Sequence, residues 1–491
     1  MTSTELGCAD RLCPRITIDA LPDHPLLEIF EFYLGKDSAN DIGNNKNYDG
    51  WQTLVHVCRR WRYIVFASPR RLDLKLYCTP GRLVHSKTLD IWPSLPIVIV
   101  AKGVGSKEGV TDIISALRQK NRVCKIYYFD GQFPNFLLKE ISAIDEPFQA
   151  LTSLELSSFA HSVPVLPDSF LGGSAPRLRS LHLDGIPYPS IGKLLSSTTN
   201  LVRLCLWRIP HSGYIAPETI VPFLSTSSRL ESLDLGFEYP RSRAQRASRH
   251  PPPLIRVVFP NLIFLGFRGD IEYLEDILSQ IEAPILNQSY FCPFNQLVFV
   301  TPQLGHFFRR TETFMTTRTA HVAFSSRAVM VKLSGPKEMA NNNSEALRLE
   351  ISCKPLDRQL SAVAQVLNSF LSSLPTLESL EIAVYRKHRR LEYEIDVIQW
   401  REFLHPFTSV KYMTLEPEDS VRLVAPALQE LSRERATEVL PALQNLFLGM
   451  YRWQPSGPVK ESIEQFIATR QLYGHPLTVH YWESKSRKFV Q

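Results

Sequence analysis

A six-residue phrase, Leu-x-x-Leu-x-Leu, recurs along this chain and constrains its fold more than any other feature. It reads LTSLEL at 151–156, LRSLHL at 178–183, LVRLCL at 201–206 and LESLDL at 230–235. Looser copies follow: LIFLGF at 262–267, FNQLVF at 294–299, LESLEI at 377–382, VKYMTL at 410–415 and LQNLFL at 443–448. VCKIYY at Val123, ALRLEI at Ala346 and PLTVHY at Pro476 are weaker versions. The central apolar positions lie roughly 23 to 33 residues apart, a repeat length suited to one strand and one return helix. In each phrase the last two apolar residues are two apart, so they share one face of a strand. Segments between phrases carry helical periodicity, as in TDIISALRQKN, IGKLLSSTTN, LEDILSQIEA, LSAVAQVLNSFLSSLP and KESIEQFIATRQ. One such unit cannot bury its own apolar face, so stacking is required. The expected fold is α/β: an irregular leucine-rich-repeat solenoid over 81–491, with parallel strands on the concave face and helices on the convex face. From Thr319 the pattern TAHVAFSSRAVMVKLSG alternates with period two, which predicts a hairpin added to the sheet.

Ahead of the repeats, residues 1–20 read as a flexible tail and residues 21–80 as a small helical module. LPDHPLLEIFEFYL has Asp23 as N-cap, Pro25 in the first turn, and Leu26, Ile29, Phe30, Tyr33 and Leu34 on one face. WQTLVHVCRRWRYIVFASP spaces Trp51, Leu54, Val55, Cys58, Trp61, Ile64 and Val65 three and four apart, predicting one helix that stops before Pro69. About fifty residues cannot bury this much apolar surface alone, so part of it faces something else.

Composition narrows the function. Hydrophobic residues make up 44% and charged residues 21%, an ordinary globular balance. A net charge of +6 is small for 491 residues and does not point to nucleic acid. There is no apolar run long enough to span a membrane and no signal-peptide pattern at the start. The 8 cysteines are scattered without Cys-x-x-Cys pairs, as expected in a reducing intracellular compartment, cytoplasmic or nuclear. No Walker loop, Gly-x-Ser-x-Gly elbow or His-Glu-x-x-His motif occurs, and the histidines show no metal-ligand spacing. The chain therefore reads as non-catalytic, with no metal and no cofactor. Arg- and Pro-rich GFEYPRSRAQRASRHPPP and polar GPKEMANNNSE read as loops between repeats.

Leu21-Pro22, then Leu26-Leu27-x-Ile29-Phe30, then Val57-Cys58-Arg59-x-Trp61-Arg62 resembles the F-box, and with the repeats behind it the chain is similar to fungal F-box proteins with leucine-rich repeats. That resemblance implies a substrate receptor of an SCF-type (Skp–cullin–F-box) ubiquitin ligase. A Skp-type adaptor, and through it the cullin and RING subunits, would be partners, with an unidentified protein substrate and neither nucleic acid nor membrane. Leu21, Pro22, Leu26, Ile29, Phe30, Leu54, Val57 and Trp61 would divide between the module's core and the adaptor surface, and Arg59, Arg60 and Arg62 would be rim charges. Asp23-His24-Pro25 and the insert before Gly50 depart from the family pattern. The alternative is a non-enzymatic interaction scaffold that never joins a ligase. In either case the strand positions facing away from the core would meet the partner protein. Those are Arg179, His182, Arg203, Cys205, Glu231 and Asp234, then Glu378, Glu381, Lys411 and Tyr412. Aromatic and Arg residues just after strands, Trp207-Arg208, Phe237, Tyr239, Tyr451 and Trp453, would add anchors.

Overall fold

In the computed structural model the chain divides into two compact units, Met1–Tyr128 and Phe129–Gln491. The structure describes residues 18–34, 50–79, 94–102, 107–129, 136–160, 163–240, 255–296, 298–335, 345–371, 374, 376–385, 397–435, 438–450, 457–483 and 488–490. The fold is mixed α/β with a large, mostly parallel sheet. Among the described residues no helix is long and apolar enough to cross a membrane.

The first unit opens with three helices, α1 (Asp23–Leu34), α2 (Gly50–Val57) and α3 (Arg59–Ala67). Two of these come from the stretch whose periodicity predicts a single helix. The break is at Cys58, which is extended (φ −155°, ψ 171°) and caps α3, its Sγ accepting from the Trp61 N–H at 3.4 Å. A thiol rarely caps a helix, so the apolar spacing concealed the interruption. Arg62 then donates from Nε to the Val55 carbonyl at 2.9 Å, satisfying an orphan acceptor at the end of α2. Asp23 is not an N-cap; it lies inside α1 and pairs with Arg60. After the helices come β1 (Leu76–Cys78) and β2 (Ile97–Lys102), paired in parallel, then α4 (Lys107–Leu117) and β3 (Val123–Phe129). This unit therefore runs past residue 80, where the sequence reading ends the helical module.

The second unit begins with α5 (Phe136–Ser142) and then builds a sheet one phrase at a time. Its first strands are β4 (Ser153–Ser157), β5 (Ser180–Asp184), β6 (Arg203–Ile209) and β7 (Ser232–Phe237), each parallel to the one before. Helices α6 (Ile191–Ser197) and α7 (Pro217–Leu224) make two of the crossovers that parallel pairing demands. The paired leucines (154 and 156, 181 and 183, 204 and 206, 233 and 235) are all buried on the inner face. The pairing has a constant signature: the two residues after each leading leucine donate to one carbonyl of the previous unit. Val202 and Arg203 donate to Arg179 O, Glu231 and Ser232 to Val202 O, Ile263 and Phe264 to Glu231 O. The unit's spacing is thus set by backbone bonds, and the side chains only decide which face is covered.

A two-stranded parallel pair, β8 (Val257–Val258) with β10 (Ile281–Glu282), flanks β9 (Phe264–Gly269) and α8 (Ile271–Gln280). Next is β11 (Gln288–Pro293), and here the sequence reading needs correction. None of the described residues of FNQLVF is in a strand; the strand precedes them, as QSYFCP. Its register matches Ser289 to Leu265 and Phe291 to Phe267, so Ser289 occupies a leucine's place and is buried. The serine hid the true phrase, and the apolar run just after it mimicked one.

Beyond α9 (Pro302–Arg310) and α10 (Glu312–Met315) the alternating segment forms the expected hairpin, β12 (Thr319–Ser325) with β13 (Ala328–Ser334). Ser325 Oγ closes its turn by accepting from the Arg327 and Ala328 amides. The hairpin sits inside the sheet: β14 (Glu345–Ser352) runs parallel to β11 and antiparallel to β13, while β12 pairs in parallel with β15 (Ser379–Tyr385). The spatial order is therefore β11–β14–β13–β12–β15. After α11 (Leu356–Phe370) and β15, regular succession returns through α12 (Val397–Leu404), β16 (Tyr412–Leu415), α13 (Glu418–Arg435), β17 (Asn445–Met450), α14 (Pro458–Leu472) and β18 (Thr478–Glu483), and β19 (Lys488–Val490) closes antiparallel.

Candidate functional site

Two surfaces are available for recognition, one on each unit. On the first, α1 packs against both α2 and α3. The core they share contains Leu26, Phe30, Leu54, Val55, Ile64 and Val65, with the Phe30 and Trp61 rings 4.8 Å apart. This divides the sequence-predicted adaptor residues. Leu26 and Phe30 are 0% exposed and Leu54 is 5% exposed, so these three hold the helices together and are not contact residues. Trp61 and Leu21 are half-buried, and Pro22 is exposed. Ile29 (43%) and Val57 (56%) are open to solvent. Phe32 (91%) and Tyr63 (73%), which sequence reasoning did not select, are more exposed still. At 100° per residue Phe32, Ile29 and Tyr33 span an arc of about 100° on α1, beside the arc that faces the core. The arginines are not all rim charges. Arg60 donates to the Leu21 carbonyl (2.6 Å) and Asp23 Oδ1 (2.7 Å), tying α3 to the start of α1, while Arg59 is exposed.

On the second unit, the sheet face opposite the leucines carries a row in continuous register: Glu155, His182, Cys205, Asp234, Gly266 and Tyr290. His182 and Asp234 lie on this row as expected. Arg203 is one row earlier, opposite Ser180 and Ser232, and Arg179 and Glu231 are exposed just before their strands. The row is only half wet, and its charges respond. Burial pushes the Asp234 carboxyl from 3.8 up to about 6, and its Oδ1 has no hydrogen-bond partner. Burial, then the charges of Asp234, Asp184 and Glu155, drives the Cys205 thiol far up, so it is a poor nucleophile. Glu155 is raised by burial against the opposing pull of His182. Further along, burial lowers the His321 imidazole, whose register neighbours are Lys332 and Glu381. Glu378 pairs with Lys411 (3.1 Å) and Arg318 (3.4 Å), which holds its carboxyl below the ordinary value. Tyr412 is exposed at the head of β16.

Trp207 and Arg208 form a β-bulge, since β6 places two residues between Leu206 and Ile209 where β7 places only Gly236 between Leu235 and Phe237. Arg208 takes a positive φ of 46° there. Its side chain is not a free anchor: Nε donates to Asp184 Oδ1 at 2.5 Å, Nη2 to the Ser158 carbonyl at 3.1 Å, and the guanidinium lies 3.9 Å from the Phe159 ring centroid. Trp207 lies across Gly236, where an added Cβ would sit 2.5 Å from its ring, and Gly266 similarly leaves room for the Asp234 carboxylate. Phe237 is also withdrawn from the expected anchors, buried against Tyr273 with ring centroids 4.7 Å apart, whereas Tyr239 is exposed. Tyr451 and Trp453 lie outside the described residues, as do the GFEYPRSRAQRASRHPPP loop from Arg241 and the GPKEMANNNSE loop from Pro336 to Ser344.

No group of three or more His, Cys, Asp or Glu among the described residues is placed to hold a metal ion. The cysteines at 58, 78, 124, 205, 292 and 353 form no disulfide among themselves. No family model matches the sequence, and no curated protein matches it.

Proposed function

We propose that this chain is the substrate-recognition subunit of an SCF-type ubiquitin ligase. In this reading the three N-terminal helices are an F-box that docks on a Skp-type adaptor, and the repeated strands and helices are an irregular leucine-rich-repeat solenoid whose open sheet face receives a protein substrate. Bond-making would belong to the RING subunit and the ubiquitin-conjugating enzyme. The observation that carries the proposal is the apolar excess of α1–α3. With their own core filled, these helices still present Ile29, Phe32, Tyr33, Val57 and Tyr63 to water. Helix surfaces of this kind suit helix-in-groove association, and burying each large apolar side chain contributes about 1.5–3 kcal/mol. The half-buried polar row on the strands, with Trp207 beside it and Tyr412 exposed further along the sheet, suits recognition of a protein more than of a small molecule.

The test is co-expression with a Skp-type adaptor, followed by size-exclusion chromatography with light scattering. A one-to-one complex is expected. Ile29→Asp combined with Val57→Asp abolishes it while the melting temperature of the isolated chain stays unchanged. A well-folded chain that ignores the adaptor refutes the ligase reading.

A further inference from the structure

A cleft on the helical side of the second unit joins residues about fifty positions apart in sequence. It has a volume of about 480 Å³ and is lined by Arg256, Gln303, His306, Arg309 and Arg310. Four of these come from α9. At 100° per residue Gln303, Arg310, His306 and Arg309 fall in order around one arc of about 120°. The opposite side of α9 is anchored by Leu304, Phe307 and Phe308, all buried, so the helix cannot roll. Arg256 enters from the start of β8 and faces them across the cleft.

Two of the guanidiniums are held in place by a third element. Arg256 donates from Nε to the Ser279 carbonyl at 3.1 Å, and Arg310 donates from Nη2 to the Leu278 carbonyl at 3.3 Å. Both acceptors belong to the last turn of α8, the negative end of its dipole, where cations are favoured. That turn therefore brings two like charges together before any ligand arrives. The Arg310 pKa is lowered first by partial burial and then by the charge of Arg256, against a weaker pull from Glu282. Arg309 donates to Nδ1 of His306 at 3.0 Å, an arrangement that places the imidazole proton on Nε2 as a further donor. Of the neighbouring acids, Glu282 reaches Arg256 only at 3.7 Å, and Glu275 is already committed to the Gln303 and Leu304 amides at 2.8 Å each. Each guanidinium has five N–H donors and gives few of them to the protein.

We infer that this cleft is a binding site for a phosphoryl group, gripped by Arg256, Arg309 and Arg310 with Gln303 and His306 as further donors. Planar guanidinium forks match the oxygens of a phosphate dianion, and a convergent set of three offers the multiple charge-assisted contacts that separate a phosphate from a carboxylate or chloride. His306, Arg309 and Arg310 are exposed, so the cleft is open to solvent and the group that carries the phosphate can extend out of it. Two carriers share this chemistry: a phosphorylated side chain of a protein, and a free phosphorylated small molecule. The site is independent of adaptor docking and of the open sheet face, so its failure leaves the ligase proposal standing.

The test is isothermal titration of the full chain at fixed ionic strength with inorganic phosphate, glycerol 3-phosphate and a short phosphoserine peptide, with potassium chloride as the control. Saturable binding of the phosphates and no heat beyond dilution for chloride is expected. Arg309→Gln, which gives up only contacts within its own helix, and Arg310→Gln each weaken binding by about tenfold or more. Thermal melting without ligand confirms that both variants fold. A phosphoserine peptide that binds at least about tenfold tighter than glycerol 3-phosphate assigns a protein carrier, and equal affinities assign a small molecule. Phosphate indistinguishable from chloride, or full affinity retained in a folded Arg309→Gln/Arg310→Gln double variant, overturns the inference.

Discussion

Replacing Asp234 by Asn makes the second unit more stable near neutral pH, and the gain disappears in acid. The carboxyl stands on the half-dry row of the sheet with one oxygen unpaired, and burial raises it from 3.8 to about 6. At 1.36 kcal/mol per pKa unit, ionising it in the folded state costs at most about 3 kcal/mol. A carboxyl whose folded pKa is raised contributes stability that is fully present below its unfolded pKa and is lost as pH rises through the folded one. Asn has the shape of the protonated form and never ionises. The linkage relation puts its advantage at about 3 kcal/mol at pH 7.5, about 1 kcal/mol at pH 4.5, and close to zero at pH 3. The assay is urea unfolding of both chains at several pH values, followed by circular dichroism and tryptophan emission, with Trp207 and Gly236 beside the site. A stability difference independent of pH, or an Asn variant less stable than the parent at pH 7.5, refutes the account of Asp234 as a buried, unpaired carboxylate.

Three other perturbations test the packing. Leu26→Asp or Phe30→Asp unfolds α1–α3, because burying a charge in place of a core side chain costs more than the about 2–5 kcal/mol of a simple truncation; loss of helical circular dichroism checks it and separates these positions from Ile29 and Val57. Ser289→Ala stabilises the second unit by about 1 kcal/mol, since Ser289 Oγ is buried with no hydrogen-bond partner, and denaturant midpoints report it. Gly236→Ala destabilises by about 1–3 kcal/mol and red-shifts tryptophan emission, because the new methyl displaces the Trp207 ring from the strand it covers.

Much of the fold was written locally. Apolar pairs two apart mark strands because a half-covered strand needs that spacing, and the period between them marks the crossovers that parallel pairing requires. That reasoning placed β4 through β7, and it also reached β16 through β18 from looser phrases. It failed where a single side chain decided matters. At β11 a buried serine stood in a leucine's position, and at Cys58 a thiol capped a helix that periodicity carried straight through. The exposed aromatics Phe32 and Tyr63 left no signal, because helical spacing identifies a buried arc and says nothing of what lies on the rest.

The sequence by itself determined most of the elements, their order and the repeated leucines that pack inward, since these follow from backbone periodicity and the aversion of apolar groups to water. Only the tertiary structure decided partners across long sequence distances. It set the order β11–β14–β13–β12–β15, turned Arg208 from a surface anchor into a clamp on Asp184, and brought Arg256 to the arginines of α9. Such outcomes depend on register, bulges and the packing of whole elements, where each choice is fixed by many contacts at once. No short window of residues contains them.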